Sequence, residues 1–257
     1  MTRVVLTVAG SDSGGGAGIQ ADVKTACALG VHAATVLTAV TAQDTHGVRG
    51  VHEVPVAMVR DQLRAVLDDL DVAAVKIGML GSPALIETVA TELHDHPAIV
   101  LDPVMVATSG DRLLPQEAEA AVRELLVPLS RVVTPNLPEA RALAGRDGSP
   151  QELGDALLAL GTGAALVKGG HAGGDASDDL LVEPDRSTWL RAERVDTPNT
   201  HGTGCTLSSA LACGLVQGLD VLGATRQAKE FLHEALVAGA RLELGSGHGP
   251  VDHLVRR

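Results

Sequence analysis

The segment RVVLTVAGSDSGGGAGIQADVKTACALG, residues 3–30, contains a strand, a glycine-rich turn and a helix in that order. Its apolar start, residues 3–9, has the length of a buried strand. The glycine-rich turn over residues 10–18 leads into a helical pattern over residues 18–29, and Gly30 is placed to end that helix. A buried strand followed directly by a helix is the repeating unit of parallel α/β sheets.

The same alternation of strand and helix continues along the chain. Further strands are predicted at residues 31–38, 73–77, 98–101, 131–133 and 164–168. Helices are predicted from Val56, from the Ser82-Pro83 start, and over residues 116–126, 139–144, 149–161, 203–217 and 221–240. Residues 172–196 predict a hairpin or flap. Right-handed crossovers between such strands predict one three-layer α/β domain over residues 1–257, with a mainly parallel central sheet and helices on both faces.

The composition excludes several classes of protein. Hydrophobic residues make up 45% and aromatic residues only 1% of the 257 residues, so Ala, Val, Leu and Ile are expected to fill the core. A net charge of −12 without a Lys/Arg cluster argues against a nucleic acid partner. Three cysteines without a CxxC pair argue against zinc and against a disulfide framework. No signal peptide or membrane-length apolar run is found, so we expect a cytoplasmic protein with no membrane partner.

The residues that follow each predicted strand are the site candidates, because parallel sheets carry their sites at the carboxyl ends of the strands. After the first strand, glycines near Ala17 let a ligand approach the backbone, and Asp22 follows one turn into the helix. The polar loop 41–47 then presents Gln43, whose amide can donate to and accept from a heterocycle. Met79 can lie on a flat ring. The alternatives are an ordinary glycine connection, a solvated helix-start carboxylate at Asp22 and a core methionine at Met79.

A second group of candidates carries charge or an amide. Asp102 precedes Pro103 at a strand end, a position suited to binding hydrated Mg²⁺. Asn136 and Glu139 lie three residues apart at a strand-to-helix junction and can face one cluster of phosphate and metal. Lys168 ends another strand and can contact a nucleotide phosphate. The competing interpretations are a simple turn at Asp102, a helix cap at Asn136 and an exposed charge at Lys168.

The strongest local signal is the stretch NTHGTGCT, residues 199–206, in which a glycine-rich turn opens a long apolar helix. The backbone amides of Gly202, Thr203 and Gly204 can form an anion hole that stabilises charge on a moving phosphoryl group. Cys205 would lie at the positive end of the helix, where the pKa of a thiol is expected to fall. As a thiolate it could take a proton from a substrate hydroxyl. The alternative is a small buried hydrophobe.

Seven ordered blocks of the chain resemble the hydroxymethylpyrimidine and phosphomethylpyrimidine kinases of the ribokinase superfamily. The blocks are AGSDSGGGAGIQAD (9–22), VTAQDTHGV (40–48), KIGML (76–80), LDPVMVATSGDRLL (101–114), TPNLPEA (134–140), VKGGH (167–171) and NTHGTGC (199–205). They cover nearly the whole chain, and seven blocks in order are far more specific than any one of them. The resemblance implies an ATP-dependent kinase that phosphorylates the pyrimidine alcohol and then its monophosphate for thiamine synthesis.

The resemblance also implies a role for each candidate residue. Cys205 would be the base in place of the aspartate of the sugar kinases, beside an anion hole made by the amides of Gly202, Thr203 and Gly204. Mg²⁺ and the ATP phosphates would be surrounded by Asp102, Asn136 and Glu139, with Lys168 on the nucleotide side. The pyrimidine pocket would be formed by Ala17, Asp22, Gln43 and Met79. A homodimer is implied, and a monovalent cation is a further candidate cofactor that the residues neither require nor exclude.

Two departures from the family pattern are visible in the sequence. Asp44 stands where relatives usually have Asn, which would add negative charge near the acceptor alcohol. Gly16 is the third of three consecutive glycines. Two segments are candidate lids over the site, residues 107–114 and residues 172–186.

Three rival functions remain open from the sequence. A pyridoxine or pyridoxal kinase has a similar ring as substrate and the same phosphate machinery, although Gln43 favours the aminopyrimidine. A non-catalytic ligand-binding protein could keep the fold. A cysteine hydrolase could use Cys205 with His201 or His171, but no segment clearly supplies an acid to orient the histidine.

Overall fold

An eight-stranded sheet between two layers of helices dominates the computed structural model, which describes residues 2–105, 116–170 and 176–256. The strands are β1 (Val4–Ala9), β2 (His32–Leu37), β3 (Ala39–Asp44), β4 (Gly47–Glu53), β5 (Val72–Ile77), β6 (Ile99–Leu101), β7 (Val132–Val133), β8 (Ala165–Val167), β9 (Asp179–Glu183) and β10 (Arg186–Leu190). The helices are α1 (Gly18–Ala28), α2 (Val56–Leu67), α3 (Pro83–Leu93), α4 (Gln116–Ala121), α5 (Leu137–Ala144), α6 (Pro150–Ala159), α7 (Thr203–Val216) and α8 (Val221–Gly239).

The strand order in the large sheet is β10-β9-β8-β7-β6-β5-β1-β2. Neighbouring strands are parallel except at β9, which pairs antiparallel with both β8 and β10. The predicted α/β architecture with a mainly parallel sheet is therefore confirmed. The carboxyl ends of β1, β5, β6, β7 and β8 point to one edge of the sheet, which is where a site is expected.

Side chains of alternate strand residues pack into two separate cores, one on each face of the sheet. Leu6 and Val8 of β1 pack with α2, α3, α5 and α6, whereas Val5 packs with α1, α7 and α8. Both faces are thus covered by helices, so β1 is buried along its whole length. Phe231 of α8 is fully buried, but Trp189 lies on the edge strand β10 and is 52% exposed. The core is otherwise aliphatic, as the composition predicts.

Most predicted elements are found within two residues of their expected limits, and the exceptions have physical reasons. The polar loop predicted over residues 41–47 is wrong: β3 and β4 form a two-stranded antiparallel sheet there. Buried and exposed residues alternate over residues 39–42 of β3, whereas β4 has no buried residue. The helix over residues 116–126 changes to a π-helical turn at Val122–Leu126. Ser82 precedes α3 but its side chain makes no capping hydrogen bond.

The segment predicted as a hairpin or flap is a hairpin built into the large sheet. Strands β9 and β10 pair with each other, and β9 pairs with β8, so residues 179–183 of the candidate lid over residues 172–186 belong to the large sheet. Residues 172–175 and the other candidate lid, 107–114, lie outside the described residues. None of the helices in the described ranges is long and apolar enough to cross a bilayer.

Candidate active site

A cavity of about 780 Å³ opens along the carboxyl ends of the parallel strands. Five strands are each followed, within three residues of their end, by a residue that lines the cavity. These residues are Gly10 after β1, Met79 after β5, Asp102 after β6, Asn136 after β7 and Lys168 after β8. The opposite wall is the start of α7, which contributes residues 202–205. The cavity therefore lies where the strand-end rule predicts a site.

The turn before α7 has a backbone conformation that needs glycine. Gly202 is the N-cap of α7 with a φ of 79°, and a Cβ atom at this position would overlap the carbonyl oxygen of Gly16. The amides of Gly204 and Cys205 meet no acceptor among the described residues. Unpaired N–H groups at a helix start carry partial positive charge and attract anions. The turn is therefore able to bind a phosphoryl group from the cavity side.

Cys205 lines the cavity in the first turn of α7, but its thiol is not acidic. Burial raises the pKa of the Cys205 thiol to about 11, and the carboxylates of Asp22 and Asp102 act in the same direction, against the ammonium of Lys76 and the Gly18 amide. The expectation that the helix start lowers this pKa is therefore wrong for the free protein. Removal from water is the largest cause of the raised pKa, and it outweighs the opposing charge of Lys76.

The high pKa of Cys205 predicts slow alkylation at neutral pH. At pH 8 a thiol of pKa about 11 is thiolate in a fraction on the order of 10⁻³. Iodoacetamide should modify the exposed Cys27 first, whereas the rate at Cys205 should rise about tenfold per pH unit up to pH 11. Peptide mass spectrometry over a pH series measures both rates. Equal rates at Cys27 and Cys205 at pH 8 would contradict the assigned pKa.

A buried ion pair between Lys76 and Asp22 lies beneath Cys205. Lys76 is fully buried, and its Nζ donates to both carboxylate oxygens of Asp22 at 2.9 Å. Thr7 and Ser209 also donate to Asp22, Ser209 at 2.6 Å. Burial lowers the pKa of Lys76, but the charges of Asp22, Cys205 and Asp102 raise it above its usual value. Lys76 is therefore a permanent ammonium beside the thiol.

Asp22 does not occupy either of the places expected from the sequence. It is 2% exposed, so it is not a solvated carboxylate at a helix start. The cavity lining includes Lys76 and not Asp22. Three protein side chains, Thr7, Lys76 and Ser209, donate four hydrogen bonds to Asp22. Asp22 therefore has a structural role under the cavity and does not contact a ligand.

The charged end of the cavity is an ion pair beside the glycine turn. Lys168 Nζ lies 3.0 Å from Asp102 Oδ1, and Ser208 of α7 donates to Asp102 Oδ2 at 3.3 Å. A Cβ atom on Gly204 would lie 3.3 Å from Asp102 Oδ2, so the turn and the ion pair touch. Burial lowers the pKa of Lys168, but Asp102 and Glu139 raise it above its usual value. Lys168 is neither an exposed charge nor distant from the turn.

Asn136 and Glu139 form a reciprocal helix cap as well as lining the cavity. Asn136 Oδ1 accepts from the Glu139 amide at 2.9 Å, and Glu139 Oε2 accepts from the Asn136 amide at 2.8 Å. Burial and the charge of Asp102 raise the pKa of Glu139, whereas Lys168 lowers it. The cap fixes the Glu139 carboxylate within the charged end of the cavity.

The carboxylates at this end fit a magnesium ion that arrives with a phosphate ligand. No group of three acidic, His or Cys side chains in the described ranges could hold a metal ion alone. Asp102 and Glu139 nevertheless supply two buried carboxylates next to Lys168. Mg²⁺ typically takes one or two carboxylates and completes its shell with phosphate oxygens and water. The donor set therefore suits magnesium held jointly by protein and nucleotide.

Asp12 organises the glycine-rich turn at the other end of the cavity, a role that the sequence analysis did not assign. Its Oδ1 accepts from the Gly14 amide at 2.8 Å, and its Oδ2 accepts from Gly16 and Ala17 at 2.9 and 2.8 Å. Burial raises the pKa of Asp12, but the hydrogen bonds from His201 and from the amides of Ala17 and Gly14 lower it below its usual value. These three amides are therefore occupied by the protein. The signal in the sequence was an Asp two residues before a run of glycines.

Gln43 and Met79 face the same end of the cavity as Ala17. Gln43 Nε2 lies 3.4 Å from His201 Nε2, whose other neighbour is Asp12 Oδ2 at 2.9 Å. Thr38 donates to the Met79 carbonyl, and the Met79 methyl packs against Gly10. The structure thus brings together three of the four residues expected to form a pyrimidine pocket, and adds His201 to them.

The two departures from the family pattern have local explanations. Asp44 forms an ion pair with Arg49 and accepts from the His46 amide at 2.9 Å, and it is not in the cavity lining. Its charge is therefore compensated away from the acceptor end. A Cβ atom on Gly16 would lie 2.6 Å from His201 Cδ2, so the third glycine is required by packing.

The geometry disfavours a cysteine hydrolase. His201 is oriented by an acid, Asp12, but its Nε2 faces Asp12 and Gln43, and no hydrogen bond joins it to Cys205 in the described chain. His171 lies outside the described residues. An activated cysteine needs a base within hydrogen-bond reach, so no such pair is present in the part of the chain that is described.

Comparison with known proteins identifies the family. A family model described as phosphomethylpyrimidine kinase matches residues 12–252. The chain belongs to this family. A hydroxymethylpyrimidine/phosphomethylpyrimidine kinase of Streptomyces coelicolor is 54% identical over 97% of the chain and 94% of the relative. The family predicted from the seven sequence blocks is therefore confirmed, and with it a phosphotransferase.

Solved structures of kinases share the whole fold with this member of the family. The phosphomethylpyrimidine kinase of Clostridium difficile 630 superposes with a TM-score of 0.81 and 37% identity, covering 92% of this chain and all of that one. An ADP complex of Bacillus subtilis pyridoxal kinase gives a TM-score of 0.89 and 36% identity, covering 98% and 97% of the two chains. The ribokinase-like fold is confirmed by both structures.

Proposed function

We propose that the chain transfers the γ-phosphoryl group of ATP to 4-amino-5-hydroxymethyl-2-methylpyrimidine, and then phosphorylates the product to the pyrophosphate used for thiamine synthesis. One observation carries the proposal: the anion-binding turn, Cys205 and the Asp102–Lys168 pair share one cavity with Gln43. An acceptor alcohol at the Gln43 end and nucleotide phosphates at the Lys168 end would meet at the start of α7. The chain is 50% identical to a hydroxymethylpyrimidine/phosphomethylpyrimidine kinase of Rhizobium meliloti, and this similarity supports the same substrates.

The proposed transfer is direct and in line. The substrate oxygen forms a bond to the γ-phosphorus, the bond from that phosphorus to the β-phosphate oxygen breaks, and ADP leaves. The amides of Gly202, Thr203 and Gly204 stabilise charge on the three equatorial oxygens, and Lys168 holds the phosphates. Mg²⁺ would neutralise phosphate charge, held by Asp102 and Glu139. Positioning and electrostatics account for most of the rate in this chemistry.

Cys205 is the proposed acceptor of the hydroxyl proton. A loose transition state leaves the proton on the attacking oxygen until late, when that oxygen has become acidic. The Cys205 thiolate required at that moment is stabilised by the buried ammonium of Lys76 and by the Gly18 amide, which already oppose the effect of burial on its pKa. A bound metal ion would lower that pKa further, because a nearby positive charge favours the ionised form.

The proposed setting of the enzyme is a single-domain, cytoplasmic homodimer that uses ATP and Mg²⁺. Exposed apolar side chains on the two-stranded sheet support the dimer, since Val40 of β3 is 48% exposed and Val51 of β4 is 50% exposed. A monovalent cation stays a candidate cofactor on the strength of the resemblance alone.

ADP release with two alcohols tests the proposed function and its nearest rival. We expect the purified chain to release ADP with the hydroxymethylpyrimidine at a kcat/KM at least about tenfold above that with pyridoxine, a difference of about 1.4 kcal/mol. The Gln43 amide can pair with a ring nitrogen and amino group, and pyridoxine lacks the amino group. A preference for pyridoxine would instead support the second candidate function, a pyridoxine or pyridoxal kinase, which the similarity to Bacillus subtilis pyridoxal kinase favours. No ADP release with either alcohol would favour a non-catalytic binding protein.

A further inference from the structure

A segment near the C-terminus crosses behind the turn that precedes α7. We call residues 245–253 the C-terminal strap. The His201 amide donates to the Gly249 carbonyl at 3.1 Å, and the Val251 amide donates back to the His201 carbonyl at 3.4 Å. The strap is tied to α8 by the Asp252 amide, which donates to Ala235 at 3.0 Å. None of these nine described residues lines the cavity, so the strap touches the turn from outside the site.

His253 extends the strap to the turn through the hydroxyl of Thr206. Thr206 Oγ1 lies 2.8 Å from the Gly202 carbonyl oxygen and 2.9 Å from His253 Nε2. A carbonyl oxygen can only accept, so the single hydroxyl proton of Thr206 is donated to Gly202. His253 must then donate its Nε2–H to Thr206. All three groups are buried, and burial lowers the pKa of His253 to about 4, which keeps the imidazole neutral near pH 7.

These contacts fix the direction of two amides in the turn. Each peptide unit is planar and trans, so a carbonyl that is held in place also orients the N–H of the next residue. The Gly202 carbonyl, held by Thr206, shares its plane with the Thr203 N–H. The His201 carbonyl, held by Val251, shares its plane with the Gly202 N–H. The Thr203 N–H also donates a long hydrogen bond, at 3.3 Å, to the Thr200 carbonyl.

We propose that the C-terminal strap is a positioning element of the phosphoryl-binding turn, acting through His253 and Thr206 on the amides of Gly202 and Thr203. The inference rests on the proposed function in that the turn receives the moving phosphoryl group. Donors that are already aligned need no rearrangement when charge develops in the transition state, so their alignment affects kcat more than substrate binding. Thr206 and His253 are positioning residues, since neither lines the cavity.

The test removes the Thr206 hydroxyl without changing the size of the side chain. We expect Thr206→Val to lower kcat about tenfold, the effect of about 1.4 kcal/mol, while the KM for ATP stays within about twofold. Thr206→Ser should restore most of the lost rate. The matched control is Thr225→Val in α8, which removes a fully buried hydroxyl that donates to the carbonyl four residues earlier, at 2.7 Å. This control should lose about as much stability as Thr206→Val, but it does not alter any contact of the turn.

A second pair of variants changes His253, at the other end of the hydrogen-bond relay from His253 through Thr206 to the Gly202 carbonyl. His253→Gln keeps an N–H donor that can reach Thr206, whereas His253→Leu removes it. We expect kcat to fall about tenfold in His253→Leu and much less in His253→Gln. A kcat in both Thr206→Val and His253→Leu equal to that of Thr225→Val would overturn the proposal, as would a loss that lies wholly in the KM for ATP.

Amide hydrogen exchange separates this inference from the proposed function. A wild-type chain without kinase activity would refute the proposed function, and exchange of the peptide covering residues 199–206 would still test the strap. We expect faster exchange of this peptide in Thr206→Val than in Thr206→Ser or Thr225→Val. Each variant is measured the same number of degrees below its own melting temperature. Equal exchange in the three variants would show that the turn is held without the relay.

Discussion

Replacing Gly202 with alanine should reduce turnover by about 10²–10³, the loss that follows removal of transition-state hydrogen-bond donors. Gly202 has a φ of 79°, and an added Cβ atom would overlap the Gly16 carbonyl oxygen. The turn must therefore move away from the glycine-rich loop, and its amides lose their common direction. Steady-state kinetics with the pyrimidine alcohol and ATP measures the effect, together with a melting curve.

Two other glycines provide matched controls for the backbone cost of that substitution. Gly30 and Gly218 have φ values of 71° and 88°, and a Cβ atom on either would meet nothing within 4 Å. Gly30→Ala and Gly218→Ala should each cost about 1–2 kcal/mol of stability for the left-handed conformation. Their turnover should stay close to that of the wild type. A similar loss of turnover in all three variants would assign the effect to general destabilisation and not to the turn.

Replacing Cys205 with alanine should lower turnover by about 10² or more, with a modest change in ATP affinity, because a positioned proton acceptor typically contributes that much. The loss should appear in kcat, since the thiol acts on the attacking hydroxyl and not on the nucleotide. Cys213→Ala is the matched control: Cys213 lies two turns further along α7, fully buried in the core away from the cavity. Near-normal turnover in Cys205→Ala would mean that the sulfur only packs against its neighbours.

The placement of the site was predictable because it depends on local rules. Asp102, Asn136 and Lys168 each follow a buried strand, and parallel strands bring their carboxyl ends to one edge. The turn at Gly202 was predictable because glycine before an apolar helix marks an anion-binding N-terminus. Each of these signals is contained in a few consecutive residues, so it can be recognised without knowledge of distant contacts.

The features that were missed depend on contacts between distant residues. Lys76 and Asp22 are 54 residues apart, and Asp12 and His201 are 189 residues apart, so neither pair is visible as a local pattern. The pKa of Cys205 depends on how deeply α7 is buried, which periodicity does not report. Residues 41–47 were predicted as a polar loop because this part of β3 and β4 is polar and lacks the apolar run of a core strand.

The distribution of aromatic side chains has an optical consequence. The chain has one tryptophan and no tyrosine, and Trp189 stands half-exposed on the outermost strand β10, outside the cavity lining. Intrinsic fluorescence therefore comes from one indole at the border of the sheet. A fluorescent nucleotide bound in the cavity can be followed against a background with a single, identified emitter.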